Sequence, residues 1–333
     1  MLLRDLGEAE LLRRLAAYAP PGQLDDDAAV LRPSGDAPLV VNTDLLVDGL
    51  HFSDATMGPE DVGWRAATAN LSDLAAMGCG PVVGITVGLV APADTPWAWV
   101  EGVYAGLSSA LGHHGGQLLG GDCSGGAQRM LAITALGRVG AGVIRRGDGR
   151  AGDWLVSTGP HGLSRLGLAL LQRELPAPQA TGLGEPLRQR AIAAHRRPRP
   201  RLDAVQALAQ CQPPGSPWRV GGTDSSDGLG AAVAQLAGGA GCVAELNRNA
   251  LPMPPELAHL PQGEGWCLGG GEDFELVLAL EPAWGEALVA ALPGCQRIGD
   301  LVAPGAGDAA AAGSLRWQAS GEPVTGHRGY SHF

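Results

Sequence analysis

Three observations predict a two-domain α/β (α+β) protein. The chain has 333 residues, and because a globular domain holds roughly 150 residues, this length fits two domains that each bury a core. Apolar residues with the spacing of strands and of helices occur in both halves, as in mixed folds. Residues 141–152 are rich in Gly, Arg and Asp, which predicts a domain boundary and a division into 1–145 and 146–333.

The elements of the first half are predicted from the spacing of apolar residues. Leucine and arginine alternate at helical spacing over 2–17, and the apolar run 38–44 predicts a strand that ends at Asp44. The segment 64–77 predicts a helix that ends at Gly78, because glycine is a frequent C-terminal cap. The remaining predictions are strands over 83–89 and 130–139 and a helix over 96–111.

The second half is predicted to begin with a strand over 154–157, a glycine-containing turn over 158–162 and a helix over 163–171. The same order of strand, turn and helix is predicted around Asp224. Proline and glycine in 176–186 predict a surface loop. The remaining predictions are a strand over 277–280 and a solvent-exposed helix end over the basic run 195–201.

Composition excludes several classes of function. All 23 basic residues are arginine, which rules out mechanisms that need a phosphate-binding or Schiff-base lysine. The net charge of −11 argues against general binding of nucleic acid and suits divalent cations. The apolar stretch 82–93 is shorter than the ~20 residues of a membrane-spanning helix, and the N-terminus lacks a signal-peptide pattern. We therefore expect a cytoplasmic protein without membrane contact, whose isolated cysteines are mostly buried and reduced.

Carboxylates beside small residues are the main chemical signal. They occur in Asp25-Asp26-Asp27, Thr43-Asp44, Ser72-Asp73, Gly121-Asp122 and Asp224-Ser225-Ser226-Asp227-Gly228. Each segment alone is more simply interpreted as a helix cap or a solvated turn. Together they predict Mg²⁺ binding, because Mg²⁺ takes oxygen ligands and commonly joins one or two carboxylates to substrate phosphates.

Glycine-rich turns at 120–126 and 269–273 would bring backbone amides to phosphate, although such clusters are more often plain turns. No zinc-binding histidine pattern and no hydrolase nucleophile motif accompanies them. Composition and spacing thus indicate a Mg²⁺-dependent, phosphate-handling enzyme and do not name its substrate.

Eight motifs follow one another along nearly the whole chain. They are Asp26-Asp27-Ala28-Ala29-Val30, Asn42-Thr43-Asp44 with Asp48-Gly49-Leu50-His51-Phe52, Gly63-Trp64-Arg65-Ala66 with Asn70 to Gly78, Gly120-Gly121-Asp122, His195 to Pro200, Asp224 to Leu229, Gly270 to Leu276, and Gly329-Tyr330-Ser331-His332-Phe333. In this order they resemble the bacterial thiamine-monophosphate kinase family, of the PurM-like superfamily shared with aminoimidazole ribonucleotide synthetase and selenophosphate synthetase. Chance recurrence of an ordered set is far rarer than that of one short motif.

The resemblance implies a PurM-like fold with an N-terminal, dimerising α/β domain that binds Mg²⁺ and ATP, and a C-terminal α/β domain that completes the active-site cleft. It implies phosphorylation of thiamine monophosphate to thiamine diphosphate by ATP in a homodimer, with several Mg²⁺ ions. The metal ligands implied are Asp27, Asn42, Thr43, Asp44, Asp73, Asp122, Asp224 and Asp227, of which Asp44, Asp73, Asp122 and Asp227 are the candidate catalytic residues. The ATP contacts implied are Tyr104, Gly121, Asp122, Arg146 and Ser226, and the thiamine phosphate contacts are His51, Glu272 and Tyr330.

The chemistry of the implied reaction requires neither a lysine nor a general base. A phosphate monoester has a second pKa near ~6, so the acceptor oxygen is largely ionised at neutral pH. The protein must then position two anions and neutralise their charge. Arg146 would contribute one positive charge to this neutralisation. We expect direct in-line transfer without a phosphoenzyme.

The sequence departs from the family pattern at several positions. The family usually has glycine where this chain has Asp25, threonine at Asn42, isoleucine at Ser225 and tryptophan at Tyr330. The turn 158–164 also lacks the expected aspartate-serine pair. Asn42 still offers a carbonyl oxygen to a metal.

Two alternatives stay open. One is another ATP-dependent enzyme of the superfamily, although the chain lacks both the lysine of selenophosphate synthetase and the C-terminal cysteine of hydrogenase-maturation carbamoyl dehydratases. The other is a catalytically silent nucleotide-binding dimer, against which the intact carboxylates argue.

Overall fold

The computed structural model describes residues 29–31, 38–305, 312–325 and 329. The predicted helix over 2–17, the acidic residues 25–27 and Tyr330 lie outside the described residues.

Five strands of the first half form one sheet, in the order β1-β2-β5-β3-β4. The strands are β1 (Ala29–Leu31), β2 (Leu39–Val47), β3 (Cys79–Ala91), β4 (Leu118–Gly125) and β5 (Met130–Val139). β4 runs parallel to β3, and the other pairs are antiparallel. The strand predicted over 130–139 is confirmed. β2 continues past its predicted end because its pairing with β5 extends to Val47 opposite Met130, so Asp44 lies inside the strand.

Two helices, α1 (Pro59–Ala76) and α2 (Trp97–His114), cover one face of this sheet. α1 begins before the predicted residue 64, since Pro59 occupies the first turn, where its missing N–H would have had no partner. The helices cross very closely: a Cβ on Gly106 would lie 2.0 Å from the carbonyl oxygen of Glu60, and one on Gly63 would lie 1.9 Å from that of Val103.

Six strands of the second half form another sheet, in the order β11-β8-β10-β6-β9-β7. They are β6 (Trp154–Ser157), β7 (Gly221–Asp224), β8 (Val243–Leu246), β9 (Leu276–Leu280), β10 (Gln296–Val302) and β11 (Leu315–Trp317). The helices are α3 (Leu163–Leu171), α4 (Ala177–Gly182), α5 (Glu185–Arg196), α6 (Leu202–Gln210), α7 (Leu229–Gly239), α8 (Gly263–Gly269) and α9 (Pro282–Ala291).

The mixed α/β architecture predicted from the sequence is confirmed, as are the strand at 154–157 and the helix at 163–171. The two sheets fall on either side of the predicted boundary at 141–152, and the division into domains 1–145 and 146–333 stays a prediction. Within the described ranges, no helix is long and apolar enough to cross a membrane.

Three local predictions are wrong. The predicted loop 176–186 contains α4 and the start of α5, because Pro178 and Pro186 occupy first-turn positions that tolerate proline. The predicted glycine turn 120–126 lies largely in β4, where pairing with β3 uses its backbone amides. The basic run 195–201 is not a solvated helix end, since His195 and Arg201 are buried.

The crossing of α1 and α2 leads to a stability prediction. We expect Gly106→Ala to lower the free energy of unfolding by about 1–3 kcal/mol, because the new methyl group meets backbone that cannot move aside. Gly112→Ala in the same helix is the matched control, since no atom lies within 4 Å of its Cβ position, and it should stabilise by about 0.5–1 kcal/mol. Denaturant unfolding of both variants measures the difference, and equal stability of the two would contradict the close crossing.

Candidate active site

Carboxylates from the two sheets come together where α1 meets β7. Asp44 of β2 feels the charges of Asp224 and Asp227, and burial first, then these two neighbours, raises the pKa of Asp44 to about 6. Asp224 is itself buried and accepts a hydrogen bond from Ser72 Oγ of α1 at 2.7 Å. Three carboxylates of like charge therefore lie close together, which is the electrostatic condition for binding a cation.

A second group of polar side chains joins β2 to α1. Asn42 Nδ2 donates to Asp73 Oδ2 at 2.6 Å and to Asn70 Oδ1 at 3.2 Å, and the backbone N–H of Asp44 donates to Asn70 Oδ1 at 3.1 Å. These acceptors orient the amide of Asn42, whose Oδ1 is buried and has no hydrogen-bond partner. A buried oxygen without a hydrogen-bond partner lowers the stability of the folded protein unless a ligand binds to it.

The donor set fits Mg²⁺. Carboxylates and an unsatisfied amide oxygen are the hard oxygen ligands that Mg²⁺ prefers. Within the residues that the structure describes, no group of three or more His, Cys, Asp or Glu is arranged to hold a metal by itself.

The glycine-rich segment 269–273 forms a strained loop beside the carboxylates. Glu272 and Phe274 both have positive φ, of 61° and 53°, which is unusual for residues other than glycine. Glu272 N–H donates to the carbonyl oxygen of Ser226 at 2.7 Å. The side chain of Asp273 accepts from the backbone N–H groups of Gly162 and Ser164, at 2.7 and 2.9 Å, and burial raises the pKa of Asp273 to about 7. The loop is thereby attached both to the Asp224 turn and to the start of α3.

Arg65 of α1 holds Glu272 in place. It forms an ion pair with Glu272 and donates to the carbonyl oxygen of His195. Burial opposes ionisation of Glu272, but the charge and hydrogen bond of Arg65, helped by His195 and His51, keep its pKa below the ordinary value. Two of the three predicted thiamine phosphate contacts, His51 and Glu272, therefore lie within electrostatic reach of each other.

The position of His51 is fixed by its own turn. Its Nδ1 accepts a hydrogen bond from the N–H of Val47 at 3.0 Å, so in the neutral ring the proton is on Nε2. Nearby, Arg129 pairs with Asp48 and with Asp54. These contacts hold the segment after β2 in place, and His51 lies within electrostatic reach of Glu272.

The predicted ATP contacts fall into two separate groups. Arg146 and Ser226 lie beside Asp224, since Arg146 Nε donates to Thr223 Oγ1 at 3.2 Å and Ser226 Oγ donates to Asp224 Oδ1 at 2.9 Å. The other group is Tyr104, Gly121 and Asp122, at the far edge of the first sheet: Tyr104 contacts Cys123 of β4, and burial and this contact raise its pKa.

The sheet register separates Asp122 from Asp44. Asp44 pairs with Ile133, which pairs with Val87, which pairs with Gly121. Three strand spacings amount to about 14 Å. Asp122 is the next residue after Gly121, so it belongs to the opposite face of the sheet.

Thr43 also belongs to that opposite face. Its hydroxyl lies 2.8 Å from that of Thr134. Of the predicted metal ligands, Asn42, Asp44, Asp73, Asp224 and Asp227 thus share one region, whereas Thr43 and Asp122 lie on the other face of the sheet and Asp27 lies outside the described residues.

Sequence reasoning assigned no role to Arg65 or Asn70, although both lie in quoted motifs. Arg65 is 2% exposed and Asn70 is fully buried. A charged and an amide side chain among the alanines and leucines of this helix are the signal that would have identified them, because such groups are seldom buried without a partner.

Comparisons with known proteins agree on one family. The family described as AIR synthase related protein, N-terminal domain, matches residues 25–139. The thiamine-monophosphate kinase of Synechococcus elongatus is 50% identical over 294 residues, covering 86% of each chain, and that of Prochlorococcus marinus is 47% identical over 300 residues, covering 90% of each.

Solved structures give the same result. The structure described as AaThiL complexed with AMPPCP and TMP superposes with a TM-score of 0.84 at 27% identity, over 100% of this chain and 99% of that one. A hydrogenase maturation protein HypE in complex with ATP, at 20% identity and a TM-score of 0.68 over 97% of this chain and 96% of that one, shares the fold.

The raised pKa of Asp44 predicts how the metal-free protein responds to pH. Since folding raises this pKa to about 6, the stability that the protonated group contributes is present below pH ~4 and is lost as the pH rises through about 6. We expect Asp44→Asn to raise the melting temperature in EDTA at pH 8 by roughly 2–5 °C, with little difference near pH 4. Asp94→Asn, at an exposed position outside the cluster, is the control and should change neither value. A less stable Asp44→Asn protein at pH 8 would show that the ionised Asp44 does not destabilise the folded protein.

Proposed function

The chain belongs to the thiamine-monophosphate kinase family and is a phosphotransferase, and from this premise we propose that it transfers the γ-phosphoryl group of ATP to thiamine monophosphate, giving thiamine diphosphate. The observation that carries the proposal is the cluster of Asp44, Asp224 and Asp227, in which burial and then repulsion from the other two carboxylates raise the pKa of Asp44. Such a site is suited to cations that accompany phosphates.

The acceptor needs no general base. Its phosphate monoester is largely ionised at neutral pH, so the protein has to align two anions rather than remove a proton. We infer direct in-line transfer from donor to acceptor. The site supports this inference, because its carboxylates already repel one another. A phosphorylated aspartate as an intermediate would add further negative charge to the same cluster.

Several Mg²⁺ ions complete the proposal. When bound, they would neutralise the phosphates and hold donor and acceptor in line. We assign them to Asp44, Asp73, Asp224 and Asp227, with Asn42 as a neutral ligand, because Asn42 Oδ1 is buried and unsatisfied. Asp27 and Thr43 stay predicted ligands. Arg146 and Ser226 are proposed to contact ATP beside these carboxylates.

The acceptor is proposed to bind between His51 and the Glu272 loop. Glu272 is kept ionised by Arg65, which suits the positively charged thiazolium ring of the acceptor. Tyr330 would supply a flat wall for this heterocycle. The preceding residue, Gly329, lies so close to the Asp227 turn that a Cβ would be 2.3 Å from the Asp227 carbonyl oxygen, which supports that assignment.

We further propose a homodimer in which the partner subunit's Asp122 completes the metal site. Within one chain, Asp122 belongs to the opposite face of the sheet from Asp44, at an edge strand that is exposed along its whole length. Leu45, Leu118 and Leu119 are between 44% and 51% exposed, and apolar residues on an open sheet favour burial against a second copy. Tyr104 and Gly121 would then contact the ATP held mainly by the other subunit.

The activity is tested by incubating the protein with Mg-ATP and thiamine monophosphate, with unphosphorylated thiamine and EDTA as controls. We expect thiamine diphosphate from the monophosphate alone, and a loss of at least about 100-fold in turnover for Asp227→Asn with the melting temperature retained. ADP without thiamine diphosphate would indicate another acceptor within the superfamily. Nucleotide binding without turnover would favour the silent dimer.

The shared site is tested by mixing two inactive variants, Asp44→Asn and Asp122→Asn. If each site combines Asp44 of one subunit with Asp122 of the other, a mixed dimer has one intact site, and random reassociation should restore about a quarter of wild-type activity. If both residues served the same site from one chain, every site in the mixture would carry one substitution. Absence of recovery, with mixed dimers verified by mass spectrometry, would refute the proposal.

A further inference from the structure

A buried chain of hydrogen bonds joins the turn after β6 to the turn that carries Asp224 and Asp227. His161 is at its centre: Nε2 lies 2.9 Å from Ser225 Oγ, and Nδ1 lies 3.4 Å from Ser157 Oγ. Ser157 and His161 are fully buried, and Ser225 is 1% exposed. Polar groups without access to water are held in place by their partners, because breaking one contact leaves another group unsatisfied.

The neighbouring groups determine the direction of each bond. The N–H of Glu275 donates to Ser225 Oγ at 3.2 Å, which leaves the hydroxyl proton of Ser225 for His161 Nε2. At the other end Ser157 Oγ donates to the carbonyl oxygen of Gly159 at 2.9 Å, so it accepts from Nδ1. These roles require the neutral Nδ1–H tautomer, and burial, which lowers the pKa of His161 to about 4, keeps the ring neutral.

Ser225 supplies both an acceptor for Glu275 N–H and a donor to His161. An apolar side chain at this position would have no atom for either contact. Ser225 directly follows Asp224 and lies two residues before Asp227, so its side-chain bonds restrain the backbone that carries both carboxylates.

We propose that His161 is a positioning residue that acts through Ser225 to set the orientation of Asp224 and Asp227 toward the metal and phosphates. The inference rests on the proposed function for its substrate and on this chain's own contacts for its geometry. His161 touches neither carboxylate side chain in the contacts described above.

The test compares Ser225→Ala, His161→Phe and the double variant with the wild type. We expect each single substitution to raise the Mg²⁺ concentration for half-maximal activity about three- to tenfold, while the KM for thiamine monophosphate changes less than about twofold. Because both substitutions break the same contact, the double variant should be no worse than the worse single variant. His161→Gln retains an acceptor for the Ser225 hydroxyl and should stay closest to wild type.

Thr68→Val is the matched control, since it removes a fully buried hydroxyl whose bonds stay within α1. It should lower the melting temperature without moving the Mg²⁺ dependence. Unchanged Mg²⁺ dependence in Ser225→Ala, or additive losses in the double variant, would overturn the proposal, and if His161→Phe does not fold, Ser225→Ala and His161→Gln still decide it.

A second readout is independent of turnover. Mg²⁺ raises the melting temperature of a protein that binds it in the folded state, and Ser225→Ala should require about three- to tenfold more Mg²⁺ for the same rise, measured with a non-hydrolysable ATP analogue present. If the wild type binds Mg-nucleotide but does not phosphorylate thiamine monophosphate, the proposed function fails while this measurement still tests the role of His161.

Discussion

The close approach of three carboxylates is the constraint on which the rest of the site depends. Asp44 comes from one sheet and Asp224 and Asp227 from the last strand of the other and the turn after it, and burial of Asp44, followed by repulsion from these two neighbours, raises its pKa. Contacts around the cluster, such as the hydrogen bond from Ser72 to Asp224, offset part of this unfavourable electrostatic energy. A fold that assembles such a cluster suits cations brought in with a phosphate substrate.

The helix α1 links the two halves of the site. Asn70 binds the backbone of Asp44, and Ser72 binds Asp224, so the helix contacts the carboxylates of both sheets. One turn earlier, Arg65 pairs with Glu272 and thereby restrains a loop with unfavourable backbone torsions. Strain of this kind persists only where surrounding contacts determine the conformation, which is common at binding sites. Contacts from a single helix thus connect the proposed metal site with the proposed acceptor site.

Two kinds of polar contact support the reactive groups. Arg65 and Glu272 are charged and act over several ångströms, whereas Ser157, His161 and Ser225 form neutral hydrogen bonds that depend on direction. Neutral contacts add no charge to a region that already holds an excess of negative charge. This explains how a buried histidine can restrain the carboxylate turn without competing with a cation.

By itself the sequence determined the mixed α/β class, the family and several of the local elements. Alternation of apolar residues predicted β5 and β6, and helical spacing predicted α3, because both patterns depend on neighbours along the chain. Only the tertiary structure decided that His195 is buried, that Asp122 belongs to the opposite face from Asp44, and that Ser225 meets His161. These facts depend on strand register and on contacts between residues far apart in sequence, which no local pattern encodes.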